Sequence, residues 1–396
     1  MGYLRPLALT GKVYTMSDNG FLAFVVSVLQ LALYPFTLIY GALVWVRNRM
    51  YDIDFYHSIS FSVPVISVGN LSTGGTGKTP HIEYLIELLQ YQFQVATMSR
   101  GYKRFTKGFI IADEKANALR IGDEPMQFFM KYPEAIVCVA EERLTGIPNL
   151  LQRRPGIDII LLDDAYQHRS VKAGLNILVT DFSHPFYSDH ILPFGNLRES
   201  RSAYKRADVI IVSKCPPSLS REAANEISRQ INPLPHQQVF FTAISYGMPY
   251  SLITGEAVDM KGTHAVLVCG IARPEPLIAF LKQHVSDVHT LTYADHHYFV
   301  TTDLDEMKTA YDNWQERNKI IVTTEKDAAR LHLHKEQLVG WGIDIVVMPI
   351  KISVLFNAGN EFNAKVMDYV YKEMGIVANP EPDILPSAPH ENEAGQ

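Results

Sequence analysis

The stretch from Val63 to Thr79, V-P-V-I-S-V-G-N-L-S-T-G-G-T-G-K-T, constrains the fold more than any other. It opens as a β-branched apolar run, Val63 to Val68, interrupted only by Pro64 and Ser67. It closes in the turn Gly74-Gly75-Thr76-Gly77 followed by Lys78-Thr79. In the segment beyond, Ile82, Leu85, Ile86 and Leu89 fall on one helical face. Strand, glycine turn and helix in that order make a phosphate-binding loop. The glycines let backbone N–H groups turn inward around phosphate oxygens, and the helix N-terminus adds positive potential. Ser72, Thr73, Gly74, Gly75, Thr76, Gly77, Lys78 and Thr79 are therefore the candidate ATP-binding residues. Lys78 is expected to reach the β- and γ-phosphates, and the Thr79 hydroxyl to help hold Mg²⁺. The strict pattern G-x-x-x-x-G-K-S/T has glycine where this chain has Ser72, so the match rests on context. The competing reading is a glycine-rich turn with a chance Gly-Lys-Thr.

The other strands point the same way. Phe93–Met98, Ala135–Ala140, Ile157–Leu162, Leu175–Asp181 and Ala207–Ser213 are short and apolar throughout, with helical stretches between most of them. Such strands belong to a parallel sheet covered on both faces. Ile157–Leu162 ends in Asp163-Asp164. A carboxylate at that strand end, near Thr79, is a metal ligand in phosphate-loop enzymes, so Asp163 and Asp164 join Thr79 as metal candidates. Asp123 and Glu124, in G-D-E-P, stand at a loop–helix junction, where a carboxylate either caps the helix or faces the crevice. Two basic patches, Arg100 to Lys107 and Arg198 to Arg206, are either solvated loops or contacts for an anionic substrate.

A chain of 396 residues that is 47% hydrophobic holds about two or three domains. The expected division is an N-terminal segment 1–50, a phosphate-loop domain 51–235, a linker 236–260, a smaller α/β domain 261–350, a C-terminal helical region 351–378 and a disordered tail 379–396. Net charge is −6, which offers no global field for nucleic acid. Cys138, Cys215 and Cys269 lie far apart without metal spacing and read as reduced, buried thiols. From Phe21 to Val46 no residue is charged, a run longer than the roughly 20 helical residues that cross a bilayer. A membrane helix is expected there, spanning or shallowly buried; the alternative is a buried hairpin of core helices. Arg47 and Arg49 follow directly and favour a cytoplasmic location for what comes next.

In the smaller domain, Ala265–Gly270, Lys319–Thr324 and Ile343–Pro349 are the expected strands, and Asp295-His296-His297 lies in a polar loop between the first two. Histidines in such loops are usually surface residues. As a site, Asp295 would orient His296, whose ordinary pKa lies near working pH.

Taken together, G-N-L-S-T-G-G-T-G-K-T-P, S-R-G-Y-K-R, G-D-E-P, D-D-A-Y-Q-H, L-P-F-G-N-L-R-E-S, G-I-A-R-P, D-H-H and T-T-E-K-D, in this order, resemble the tetraacyldisaccharide 4′-kinase family of lipid A biosynthesis. The resemblance covers roughly residues 62–374. It implies transfer of the γ-phosphate of ATP, with Mg²⁺, to the 4′-hydroxyl of an acylated diglucosamine 1-phosphate at the inner membrane. It implies Asp123 with His296 as the pair that accepts the hydroxyl proton; Lys78, at the ATP phosphates, is the third catalytic candidate. Arg100, His168, Arg198 and Glu199 are candidate substrate contacts, and no protein partner is implied. Ala165 and Tyr166 stand where the family commonly has Gly-Phe, and Ser200 where it commonly has Pro; no titrating group is lost. A membrane-anchored nucleotide switch or partitioning-type ATPase is the competing class. Its loop has lysine just before the double glycine, where this chain has Thr73.

Overall fold

The computed structural model describes residues 20–376, with side-chain surroundings from Leu33 onward. Residues 1–19 and the tail expected to be disordered, 379–396, lie outside the described residues. Helix α1, Gly20–Asp52, leads into β1, Val65–Gly69, and then α2, Lys78–Leu89. Next come β2, Val95–Ser99, and β3, Ile110–Ile111, followed by α3, Ala118–Ile121, and α4, Asp123–Lys131. Strand β4, Ile136–Val139, α5, Arg143–Arg153, β5, Ile159–Asp163, β6, Leu175–Asp181, and β7, Val209–Ser213, complete the alternation. Helix α6, Arg221–Ile231, precedes β8, Gln238–Tyr246, and β9, Tyr250–Ser251.

The second unit holds β10, His264–Cys269, α7, Glu275–His284, β11, Asp287–Thr292, and α8, Thr301–Asp312. It continues through β12, Lys319–Thr324, α9, Glu325–Leu331, α10, Lys335–Gly340, and β13, Ile345–Met348. Strand β14, Ile350–Val354, and α11, Gly359–Met374, end the described chain.

Two sheets result. The larger runs β14-β8-β7-β6-β1-β5-β2-β4-β3, and the smaller β11-β10-β12-β13-β9. Both are parallel apart from β3, β9 and β14, which pair antiparallel with a neighbour. Strand β1 lies between β5 and β6, in register Ser67 to Leu162 and Ser67 to Asn176. The strand order reverses there, so a crevice opens at the carboxyl end of β1, where the phosphate loop begins. Every residue of β1, β2, β5 and β7 is buried, as expected of strands covered on both faces. Ile82, Leu85, Ile86 and Leu89 of α2 pack on one face together with Phe362, Val366 and Val370 of α11.

The stretch expected as a linker, 236–260, contains β8, which extends the larger sheet beside β7. After the smaller sheet the chain returns, and β14 pairs antiparallel with β8 from Ile350↔Tyr246 to Val354↔Thr242. The C-terminal helix is therefore a wall of the first core, its Tyr369 hydroxyl bonded to both backbone groups of Val65 at the start of β1. The smaller unit is inserted through two adjacent crossings, joined where Gly247 N donates to the Pro349 carbonyl at 2.9 Å.

Helix α1 exists at the expected place, but among the described residues no helix is long and apolar enough to cross a membrane. The spanning helix expected at 21–46 is thus unsupported. The C-terminal half of α1 commits one face to the domain. The Tyr40 hydroxyl donates to the Arg198 carbonyl, Asn48 to the Glu199 carboxylate and Arg47 to the Gln167 carbonyl. The opposite face leaves Phe36, Ile39, Leu43 and Val46 exposed at helical spacing. Cys138, Cys215 and Cys269 are free and buried.

Candidate active site

The phosphate loop is shaped by its own side chains. Gly74 and Gly77 have φ of 100° and 88°, a region costly for any residue with a Cβ. Asn70, fully buried, donates to the Thr76 hydroxyl at 3.0 Å and to the Gly74 carbonyl at 3.3 Å, fastening the turn from beneath. The Ser213 hydroxyl donates to the Thr76 carbonyl at 2.5 Å, and Lys214 reaches the Gly75 carbonyl while pairing with Asp181 at 3.0 Å. Ser72 stands where the strict pattern has glycine and forms an isolated bridge with Leu197. Thr73 N donates to the Asn196 carbonyl at 2.7 Å, so the loop is stitched to the segment carrying Arg198 and Glu199.

Lys78 begins α2 and lies 3.4 Å from Asp164 Oδ1. Arg198 donates to both oxygens of that carboxylate, at 3.0 and 3.1 Å. Burial opposes ionisation of Asp164, but Lys78 and Arg198 outweigh it and lower its pKa. Its neighbour Asp163 is fully enclosed. Burial first, then the charges of Glu124 and Asp164, push its carboxyl up to about 7. Asp163 Oδ2 accepts from the Ser99 hydroxyl at 3.2 Å, while buried Oδ1 has no partner. Arg143 supports the strand end through the Asp163 carbonyl at 3.0 Å.

Whether these residues fit Mg²⁺ can be read from the donors. Thr79 Oγ1 lies 3.2 Å from Glu124 Oε1, and Asp163 has a buried oxygen without a partner. All are hard oxygen donors, as Mg²⁺ prefers. No cluster of three or more His, Cys, Asp or Glu groups forms a ready-made cage among the described residues. Glu124 was legible in the sequence as a cap or a crevice-facing carboxylate but not as a metal candidate, and Asn70 and Lys214 were not singled out; their function depends on contacts far along the chain.

On the other side of the cleft His296 Nδ1 lies 2.6 Å from Asp123 Oδ2. Asp123 starts α4 of the first unit and His296 sits in the loop after β11 of the second. Burial alone would raise the Asp123 pKa; the His296 hydrogen bond, with Lys326 and Arg330 nearby, lowers it to about 2. Asp295, expected to orient His296, is instead 3.9 Å from Nε2, and Asp123 takes the orienting position. The reason is backbone geometry: His296 adopts φ 61°, a left-handed turn that aims Nδ1 across the cleft. The turn is fixed from behind. The Arg330 guanidinium, almost fully buried, donates to the carbonyls of Gly270 and His297 and pairs with Asp327 at 2.8 Å. His297 is held by Asp303 at 2.7 Å.

The candidate substrate contacts differ in what surrounds them. His168 is near Arg143, Arg100 and Arg47, and burial followed by those charges lowers its pKa to about 4. Arg198 is partly exposed at the Asp164 side. Glu199 is buried, holding Arg206 at 2.8 Å and Asn48 at 2.9 Å through one oxygen, while Oε1 has no partner. These groups lie where α1 docks.

The chain matches the Tetraacyldisaccharide-1-P 4′-kinase family over residues 29–370. A tetraacyldisaccharide 4′-kinase of Bacteroides thetaiotaomicron is 42% identical over 354 residues, covering 85% of this chain and 92% of the relative. One from Flavobacterium psychrophilum is 44% identical over 348 residues, covering 86% and 97%. Among solved structures, LpxK from Aquifex aeolicus in complex with ATP superposes with a TM-score of 0.66 at 26% identity, covering 87% of this chain and all of that one. With this fold, this loop and these relatives, the chain belongs to the tetraacyldisaccharide-1-P 4′-kinase family.

Proposed function

We propose that this chain is an ATP-dependent lipid kinase acting on the 4′-hydroxyl of a tetraacyldisaccharide 1-phosphate, with the reaction centred between Asp123 and the phosphate loop. The 4′-oxygen forms a bond to the γ-phosphorus as the bond from that phosphorus to the β,γ-bridging oxygen breaks, and ADP leaves with the electron pair. The hydroxyl proton passes to the Asp123–His296 pair. The observation that carries this reading is the 2.6 Å contact joining that pair across the cleft, one residue from Glu124 and hence from Thr79. A sugar hydroxyl is a weak acid and needs a base within hydrogen-bond reach. Thr79, Asp163 and Glu124 are the residues that would hold Mg²⁺; Asp164 remains a further candidate, although Lys78 and Arg198 already share its carboxylate. Bound there, the ion would supply charge neutralisation for the phosphates. Phosphoryl transfer otherwise rests on positioning, which the loop amides and Lys78 provide.

The substrate's 1-phosphate and sugar hydroxyls are assigned to the cluster of Arg100, His168, Arg198 and Glu199. The exposed apolar face of α1, beginning at Phe36, ends beside that cluster. It suits the acyl–water boundary of the inner membrane, with both units on the cytoplasmic side and Arg47 and Arg49 at the headgroups. Incubation with γ-labelled ATP and purified acyl-disaccharide 1-phosphate tests the reading. A labelled lipid is expected, and its loss in Lys78→Ala. Hydrolysis of ATP without any labelled lipid would favour the nucleotide-switch class instead.

A further inference from the structure

Lys326 comes from α9 of the second unit, yet its ammonium lies 2.7 Å from Glu124 Oε1 of the first. That same oxygen accepts from the Thr79 hydroxyl at 3.2 Å. Glu124 follows Asp123 directly, and the charge of Lys326 is felt at Asp123 as well. The second unit therefore inserts a cation between the proton acceptor and the metal-side end of the phosphate loop. With the reaction centred as proposed above, a phosphoryl group passing from ATP to a hydroxyl held at Asp123 would pass beside that cation. The deeper contacts of α9 are made by other residues: Asp327 with Arg330 inside its own unit, and Glu325 with Lys131 toward α4. The Lys326 side chain is 28% exposed.

We propose that Lys326 is a catalytic residue whose ammonium contacts the transferring phosphoryl group, and that its pairing with Glu124 is the resting position it leaves when substrates load. The inference rests on the transfer site lying between Asp123 and the phosphate loop. Lys326 stays protonated throughout and exchanges no proton. It supplies positive charge where the equatorial oxygens gather it, from a unit other than the one that binds ATP. Because the cation arrives with the second unit, chemistry would be coupled to closure of that unit over the nucleotide.

The test compares Lys326→Met, Lys326→Arg and Asp123→Asn in the full chain. Lys326→Met is expected to lower kcat by about 10²–10³-fold, the scale of losing one electrostatic donor at a transition state. Lys326→Arg is expected to recover part of that loss. By calorimetry, Lys326→Met should bind MgADP with aluminium fluoride and acceptor lipid about 10²-fold more weakly, while its affinity for a Mg²⁺-bound non-hydrolysable ATP analogue stays within about threefold. Turnover within about threefold of the parent would overturn the proposal. So would equal weakening of both complexes, because that is the behaviour of a latch between units. Near-parental turnover in Asp123→Asn would instead remove the placement of the transfer site, whatever Lys326 does.

Discussion

His296 reaches Asp123 across the boundary between two sheets, Nδ1 to Oδ2 at 2.6 Å, although 173 residues separate them. Neither unit holds the pair alone. If the two act as one proton acceptor, Asp123→Asn and His296→Asn should each lower kcat by about 10²–10⁴-fold. The double variant should be little worse than either single one, because residues acting as a unit are not additive. Steady-state kinetics on all three variants measures this, and additive losses would separate the roles.

Arg330 should matter without touching substrate. Its guanidinium fixes the left-handed turn at His296 through the Gly270 and His297 carbonyls. Arg330→Met leaves Asp327 buried without its cation, a change that costs about 3–5 kcal/mol in comparable buried pairs. Denaturant melts should show that loss. At temperatures where the variant remains folded, kcat should fall with the KM for ATP unchanged, since the ATP loop belongs to the other unit. A rise in that KM alone would contradict the positioning role.

Glu83 carries a pH dependence of stability. It lies on α2 beside Lys131 at 2.9 Å, and Glu325 contacts the same ammonium at 2.7 Å, so two carboxylates share one cation. Burial, then the charge of Glu325, pushes the Glu83 carboxyl from 4.5 up to about 7. The native state thus binds the Glu83 proton more tightly than the unfolded chain does. Its contribution to stability is present at low pH and is lost as pH rises from about 4.5 to about 7. Glu83→Gln keeps an acceptor for Gln127 and removes the charge. Calorimetric scans should show a Tm about 2–5 °C above the parent at about pH 8, with the difference vanishing near about pH 5.

The face of α1 offers a separate test of membrane placement. Ile39 and Leu43 are 59% and 65% exposed and point away from the domain. Ile39→Glu with Leu43→Glu should abolish cosedimentation with anionic phospholipid vesicles. Turnover of detergent-dispersed substrate and the thermal midpoint should change little. Undiminished cosedimentation would place the membrane contact elsewhere.

Much of this was legible in the chain because it is local. The strands β1, β2, β4, β5, β6 and β7 announce themselves as short runs apolar on both faces, and the glycine turn fixes its own chemistry. The Asp123–His296 pairing came from the family resemblance, since nothing near either residue points to the other. Glu124, Lys326 and Asn70 became functional only through contacts made in three dimensions. Strand β11, with mostly exposed side chains, lacks the apolar signature and went unread. Strand β8 looked like a link because its partner β14 lies more than a hundred residues later. The polar anchoring of α1 was invisible for a like reason: a run without charge says nothing of the tyrosine and asparagine contacts on one face.

The bond from Tyr369 to Val65 sets an order of events during synthesis. The inserted sheet, complete by Met348, has all its strands and can condense as the ribosome delivers them. The ATP-binding core waits for β14 and α11, the last described elements of the chain. Helix α1 has by then been exposed for more than three hundred residues. A nascent chain therefore presents α1 long before its nucleotide-binding core is complete, and a transcript cut short before Tyr369 would yield a polypeptide without a finished nucleotide site.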